Sequence, residues 1–334
     1  MEPCSRATRT LQSGGALLAI AFICGSVSIA WSAEPAKAVE FKRNDEKGQL
    51  QILISGQEAL VYCYGKEVDL PHFYPVRSPS GKSMTVQQTE PFPHHRSFWF
   101  ADTVQLAGQR QASFYNALYS GVGDRKKPQP PFRDRVRHVD FTPQSSGTQE
   151  AAIGMKLLWE MDEGKIPVLD EARDLRIVAL GAGEYFLDLR FKLTASHGEV
   201  TFRSDAVHYA WPFIRLNDDF NTTGGGIIVN SEGQTGQAET NLKPAKWLDF
   251  SRTGAADAEG LAMFSHPAND HPHTWLTRDY GCIGPRRVEA RSGKPFTLKQ
   301  GESIATRVGV LIHKGDVKSG RVAERYQDYT AGRL

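Results

Sequence analysis

The chain has 334 residues, of which 40% are hydrophobic and 23% charged, a balance that permits a substantial core and excludes wholesale disorder. Its 40 Lys and Arg against 38 Asp and Glu leave a net charge of +2, too small to point to nucleic acid or an anionic membrane as partner.

In chain order, the first element is a leader. Arg6 and Arg9 precede an apolar run over 16–31, and Ser28, Ala30 and Ser32 supply the small residues of a cleavage site. This reads as a signal peptide over 1–33 and predicts a periplasmic or secreted protein. No later apolar run reaches the length of a membrane span, so none is expected after cleavage. From Gly48 onward the texture is short runs rich in β-branched and aromatic residues, bounded by Gly, Pro, Asn, Asp or Ser. They fall at 49–55, 59–64, 98–102, 151–161, 175–180, 185–194, 226–229, 261–264 and 304–313, and predict strands. Gly181-Ala182-Gly183-Glu184 reads as a hairpin loop that joins 174–180 to 185–194 as an antiparallel ribbon. Near the end, Val322, Tyr326 and Tyr329 recur at helical spacing with Gly332 beyond them, which predicts a helix over 319–329. With no linker between halves, these elements predict one all-β domain over 36–332. Its form is an antiparallel β-sandwich with a short C-terminal helix. Beyond the leader only Cys63 and Cys282 remain, read as buried free thiols with a disulfide as the alternative.

Residues able to carry chemistry gather in three stretches. The first runs from Pro91 through His94, His95, Arg96 and Ser97 to Trp99. Side chains alternate in an extended chain, so His94 and His95 share a face only if the backbone turns, and Pro93 invites a turn. The second contains His271, His273, Trp275, Arg278 and Asp279. The third is Asp205 to Arg215, with His208 among apolar neighbours. Neutral imidazoles suit recognition, proton transfer or metal binding. Yet no HExxH and no cysteine framework accompanies them, so no metal ligand is assigned and the cofactor stays unknown. A GxSxG elbow, a phosphate loop and a dinucleotide fingerprint are absent too. Asp102, Asp205 and Asp279 are candidates for a glycosidase carboxylate pair, but sequence supplies no separation between them.

The stretches 71–81 and 93–99, then 230–233, 246–251, 275–281, 301–303 and 310–316, resemble in order the signature blocks of the PmoA-like, so-called methane oxygenase, family of proteins of unknown function. The resemblance implies a galactose-mutarotase-like supersandwich. It implies no catalytic residue. The methane oxygenase label does not carry over, because a membrane monooxygenase subunit needs several spanning helices. Two departures from the family pattern stand out. Ser97 takes the place of a Gly after His-His-Arg, and Cys282-Ile283-Gly284-Pro285 replaces a more apolar stretch.

The leading expectation is an exported carbohydrate-processing enzyme with a cleft lined by His and Arg. In that picture His94, His95, His273 and Asp279 are the catalytic candidates. Arg96, Trp99, His208, Arg215, Trp275 and Arg278 hold a small carbohydrate or glycan, the arginines by hydrogen bonding and a tryptophan by stacking. A non-catalytic glycan-binding module and a metal-dependent enzyme are the alternatives. All of it assumes that segments about 180 positions apart share one hollow.

Overall fold

The computed structural model describes residues 38–119, 132–203, 209–252, 257–269, 273–287 and 294–334. The leader call on 1–33 lies outside them. Among the described residues the strands form three antiparallel sheets. One, of eight strands, runs in the order Val39–Asn44, Gln49–Ile54, Gln57–Cys63, His72–Val76, Phe98–Trp99, Phe213–Arg215, Cys282–Arg286 and Thr274–Thr277. The nine-stranded sheet runs Gly226–Asn230, Trp247–Arg252, Glu259–Ser265, Ser303–Lys314, Glu184–Thr194, Ile166–Gly181, Glu150–Met161 and Arg135–Phe141, with Ser145–Ser146 beside Glu150–Met161. A four-stranded sheet of Phe296–Leu298, Val200–Phe202, Thr103–Leu106 and Gln111–Ser113 completes the set.

The two large sheets close on one core, as an antiparallel β-sandwich does. Along Glu184–Thr194 the alternation sends Tyr185, Leu187, Leu189, Phe191 and Leu193 inward, against Ile52, Leu60 and Phe73 of the facing sheet. Polar bonds also cross the gap. The Tyr185 hydroxyl donates to the Arg77 carbonyl at 2.8 Å, and Arg173 Nη1 to the Pro71 carbonyl at 3.2 Å.

The hairpin forms where the glycines place it. Ala179 pairs with Tyr185, and Gly181, Ala182 and Gly183 all have positive φ. Gly183 has a second constraint: a Cβ there would lie 2.5 Å from the Pro79 carbonyl oxygen. Gly183→Ala is therefore expected to lower stability by at least about 1 kcal/mol in urea unfolding. An unchanged midpoint would show that the loop can move aside.

Phe186 and Phe264 point away from the main core yet are fully buried, because the C-terminal helix covers that outer face. Val322–Thr330 lies on that outer face, with Tyr329 packed 5.1 Å from Phe186 and Tyr326 5.6 Å from Phe264 between ring centres. The helix starts later than the spacing predicts. Asp316 Oδ1 accepts from the Ser319 amide and hydroxyl at 2.8 and 2.7 Å, which holds 316–321 in a turn.

Both thiols are free. Burial pushes Cys63 up to about 11 and Cys282 up to about 12, so neither is a ready nucleophile. No helix among the described residues is long and apolar enough to cross a membrane.

Candidate functional site

The strands Phe98–Trp99 and Phe213–Arg215 pair with Trp99 opposite Phe213, and their rings stack at 4.8 Å. One strand period further, the Arg215 amide donates to the Ser97 carbonyl at 2.7 Å, so the Arg215 side chain extends the same row. Its guanidinium lies over the Tyr280 ring, 4.2 Å from the centre.

Ahead of Trp99 the chain turns twice. The Phe92 amide bonds the Thr89 carbonyl and the His95 amide the Phe92 carbonyl, at 3.0 and 2.9 Å. These turns remove the alternation that separates adjacent side chains, and the His94 and His95 rings meet edge to face at 4.6 Å. Phe92 stacks on His95 at 4.9 Å and touches Tyr280 at 5.2 Å, which ties this segment to the one ending in Arg278.

A 3-10 segment, Phe114–Tyr119, brings two phenols to the imidazoles. The Tyr115 hydroxyl lies 2.8 Å from His95 Nε2, and the Tyr119 hydroxyl 3.3 Å from His94 Nδ1. Tyr209 packs on Tyr115 at 5.0 Å and shares a 2.7 Å hydrogen bond with Thr103. The segment is hung on Asp102, whose carbonyl accepts from the Phe114 amide at 3.0 Å. The Asp102 carboxylate is itself engaged by the Thr103 amide and Trp211 Nε1 at 2.7 and 2.8 Å, which makes it a brace.

Burial, then the nearby charges of His94, Arg215 and Arg96, push His95 down to about 2. The ring is neutral at physiological pH and unsuited to act as a general acid. Burial also lowers the proton affinity of Arg215 and raises the Tyr280 phenol to about 12. Three neighbouring groups keep hydrogen-bonding capacity that no described residue fills: His95 Nδ1, Trp99 Nε1, and Arg215 Nε and Nη1. Buried polar atoms are almost always satisfied, so three such groups together call for an explanation.

The remaining candidates lie as follows. Arg96 turns to the other side and clamps Asp69, with Nη2 2.6 Å from both carboxylate oxygens and Nε 3.1 Å from one. That engaged guanidinium is not available to a substrate as the sequence reading expected. Trp275 is 0% exposed, with Nε1 donating to the Ala245 carbonyl at 2.9 Å, so it offers no stacking face. Trp99 is also buried and stacked, and only its indole N–H remains to be used.

His273 is buried with Nδ1 2.8 Å from Ser265 Oγ. The strand it precedes, Thr274–Thr277, is three places from Phe98–Trp99 in the sheet, roughly 14 Å away. It also lies beyond the Arg286 end of that strand pair, whereas Arg215 is opposite Cys282. His273 therefore does not join the His94–His95 pair. Arg278 reaches the rim beside Tyr280, bonded to Asn241 Oδ1 at 2.7 Å. Asp279 is exposed and braces the loop at Gln237, at 2.9 and 3.3 Å. His208, His271 and Asp205 lie outside the described residues. Among the described residues no three His, Cys, Asp or Glu side chains converge as metal ligands.

Sequence reading missed Phe92, Tyr115, Tyr119, Tyr209, Phe213 and Tyr280 as members of the cluster. Only Phe213 carried a signal, through its alternation with Arg215.

No curated protein matches this chain in sequence. Among solved structures it is similar to a GH36 α-galactosidase from Geobacillus stearothermophilus, with 9% identity over 84% of this chain and 42% of that one, TM-score 0.46. It is also similar to galactose 1-epimerase from Lactobacillus acidophilus NCFM, with 10% identity over 84% of this chain and 100% of that one, TM-score 0.35. The chain thus spans about two-fifths of the α-galactosidase's length. Overlaps at this level carry no argument about activity, and the sandwich assignment rests on the sheets themselves.

The family match corrects the resemblance drawn from the signature blocks. Nothing ties the chain to a PmoA-like family; residues 49–327 match a different description. The chain belongs to the family of unknown function DUF6807.

Proposed function

We propose that this protein binds a sugar-type small molecule at the cluster of His94, His95, Trp99 and Arg215, and processes it there. The observation that carries the reading is the unfilled capacity of His95 Nδ1, Trp99 Nε1 and the Arg215 guanidinium, side by side under aromatic rings. A polyhydroxylated ligand suits such a place. Its hydroxyls accept from indole and guanidinium and exchange bonds with imidazole, while its C–H faces lie on the half-buried rings of Phe92, Tyr115 and Tyr280. His94 is the proton-transfer group in this reading, because it is half-buried and next to a phenol. His95 positions. Either tautomer leaves its Nδ1 free to work, as a donor if Tyr115 gives its proton to Nε2 and as an acceptor otherwise. Export through the leader over 1–33 to the periplasm or beyond belongs to the same proposal.

The test is turnover on a panel of oligosaccharides and modified glycosides. His94→Ala is expected to lower kcat by roughly 10²–10⁴-fold, the range for losing a general acid–base group. His95→Ala is expected to act mainly through KM. Full activity in both variants would remove the cluster from the mechanism. The neutral state of His95 favours a second reading, a non-catalytic glycan-binding module. Saturable sugar binding that changes tryptophan fluorescence, with no product from any substrate, would select it.

A further inference from the structure

We infer that the ligand of this cluster carries a carboxylate, as an acidic sugar does, and that Arg215 reads it. The inference rests on the sugar-binding reading above and narrows it. Arg215 is 7% exposed, and its Nε and Nη1 have no hydrogen-bond partner among the described residues. Three of the other buried arginines stand within ion-pair distance of a carboxylate. Arg96 faces Asp69, Arg173 faces Glu171, Arg287 lies 3.5 Å from Asp102, and Arg286 donates to the Tyr209 carbonyl at 2.8 Å.

A guanidinium cannot shed its proton at any physiological pH, so burial without an anion costs stability and is not relieved by neutralisation. Something keeps it there. Tyr280 lies beneath it and Asp218 acts on it only from beyond ion-pair distance, so no carboxylate reaches the guanidinium among the described residues. The neighbouring Trp99 Nε1 is a donor as well, so the missing group must accept from several directions. His95, held neutral, adds no competing positive charge. A carboxylate fits best: it is planar, singly charged and presents two oxygens to the guanidinium fork. Hydroxyls alone would fill the bonds but leave the charge unanswered.

Arg215→Met separates a ligand-reading arginine from a structural one. Thermal melting of the full chain, and calorimetric titration with glucuronate, galacturonate, their methyl esters, glucose, galactose and acetate, are measured for both proteins. The variant is expected to melt at the same or a higher temperature, because an unanswered buried charge is gone. Native protein is expected to bind a uronate 10- to 100-fold more tightly than its methyl ester, and the variant to bind the two alike. A variant that melts several degrees lower, with no uronate preference in the native protein, would make Arg215 structural and overturn the inference. Equal affinity for uronates, esters and neutral sugars would overturn it while leaving the sugar reading intact. Arg215-dependent binding of acetate without binding of any sugar would do the reverse. Silence toward every compound would overturn both.

Discussion

Glu171→Ala is expected to lower the unfolding free energy by about 3–5 kcal/mol. Glu171 and Arg173 both lie on the inward face of the strand Ile166–Gly181, with side chains 0% and 1% exposed. Glu171 Oε1 accepts from Arg173 Nε at 2.9 Å, and Oε2 from Trp159 Nε1 at 2.9 Å. The guanidinium also lies over Phe191, 5.0 Å from the ring centre, and donates to the Pro71 carbonyl of the facing sheet. Removing the carboxylate strands a cation and an indole N–H in the core of a sandwich whose whole stability is roughly 5–15 kcal/mol. Glu171→Gln keeps an acceptor for Trp159 and is expected to fall between. A Glu171→Leu, Arg173→Met double variant is expected to recover much of the loss, since both charges leave together. Urea unfolding checks the order. A loss below about 1 kcal/mol for Glu171→Ala would mean that water or a shifted side chain replaces the carboxylate.

Acid is expected to destabilise the protein well above the range where carboxylates titrate. Burial pushes His72 down to about 4 and His95 down to about 2, with nearby Arg96 adding to the effect in both. In the unfolded chain each takes up a proton near pH 6.5, which the folded protein refuses. Between the folded and unfolded values the unfolded state binds more protons, so stability falls as pH falls. The two contributions are complete above pH 6.5 and are lost progressively below it, at up to about 1.4 kcal/mol per pH unit each. From pH 7 to pH 5 the pair accounts for about 4 kcal/mol.

His313 works in the opposite direction. Burial opposes its protonation, but Asp249 at 2.8 Å outweighs it and raises the proton affinity, so the stability it adds is present below pH 6.5 and lost on the alkaline side. Urea unfolding at half-unit steps measures the limb, and His72→Gln is expected to flatten it by about 1.4 kcal/mol per pH unit. Equal slopes in native protein and variant would show that His72 takes up its proton in the folded state too.

Much of the sandwich was legible because alternation is local. The hairpin at Gly181–Gly183 and the ribbon it joins follow from residues within a few positions of one another. Other strands were not legible. His72–Val76 and Cys282–Arg286 are buried on both faces or interrupted by Pro, so the period that betrays a half-buried strand is missing. The family assignment drawn from short signature blocks was wrong, because such blocks are too brief to separate one family of unknown function from another.

Composition and local pattern by themselves determined the β class, the C-terminal helix and the choice of His94, His95, Trp99 and Arg215 as residues worth following. Tertiary structure decided which of the candidates meet. Two consecutive turns put the adjacent imidazoles on one side, and strand order carried His273 three places away. Partner choice did the rest, by giving Arg96 to Asp69 and leaving Arg215 Nε and Nη1 without a partner among the described residues. The reason is physical: which side a residue faces follows from its neighbours in the chain, whereas its partners come from strands remote in sequence that only the closed sandwich brings within bonding distance.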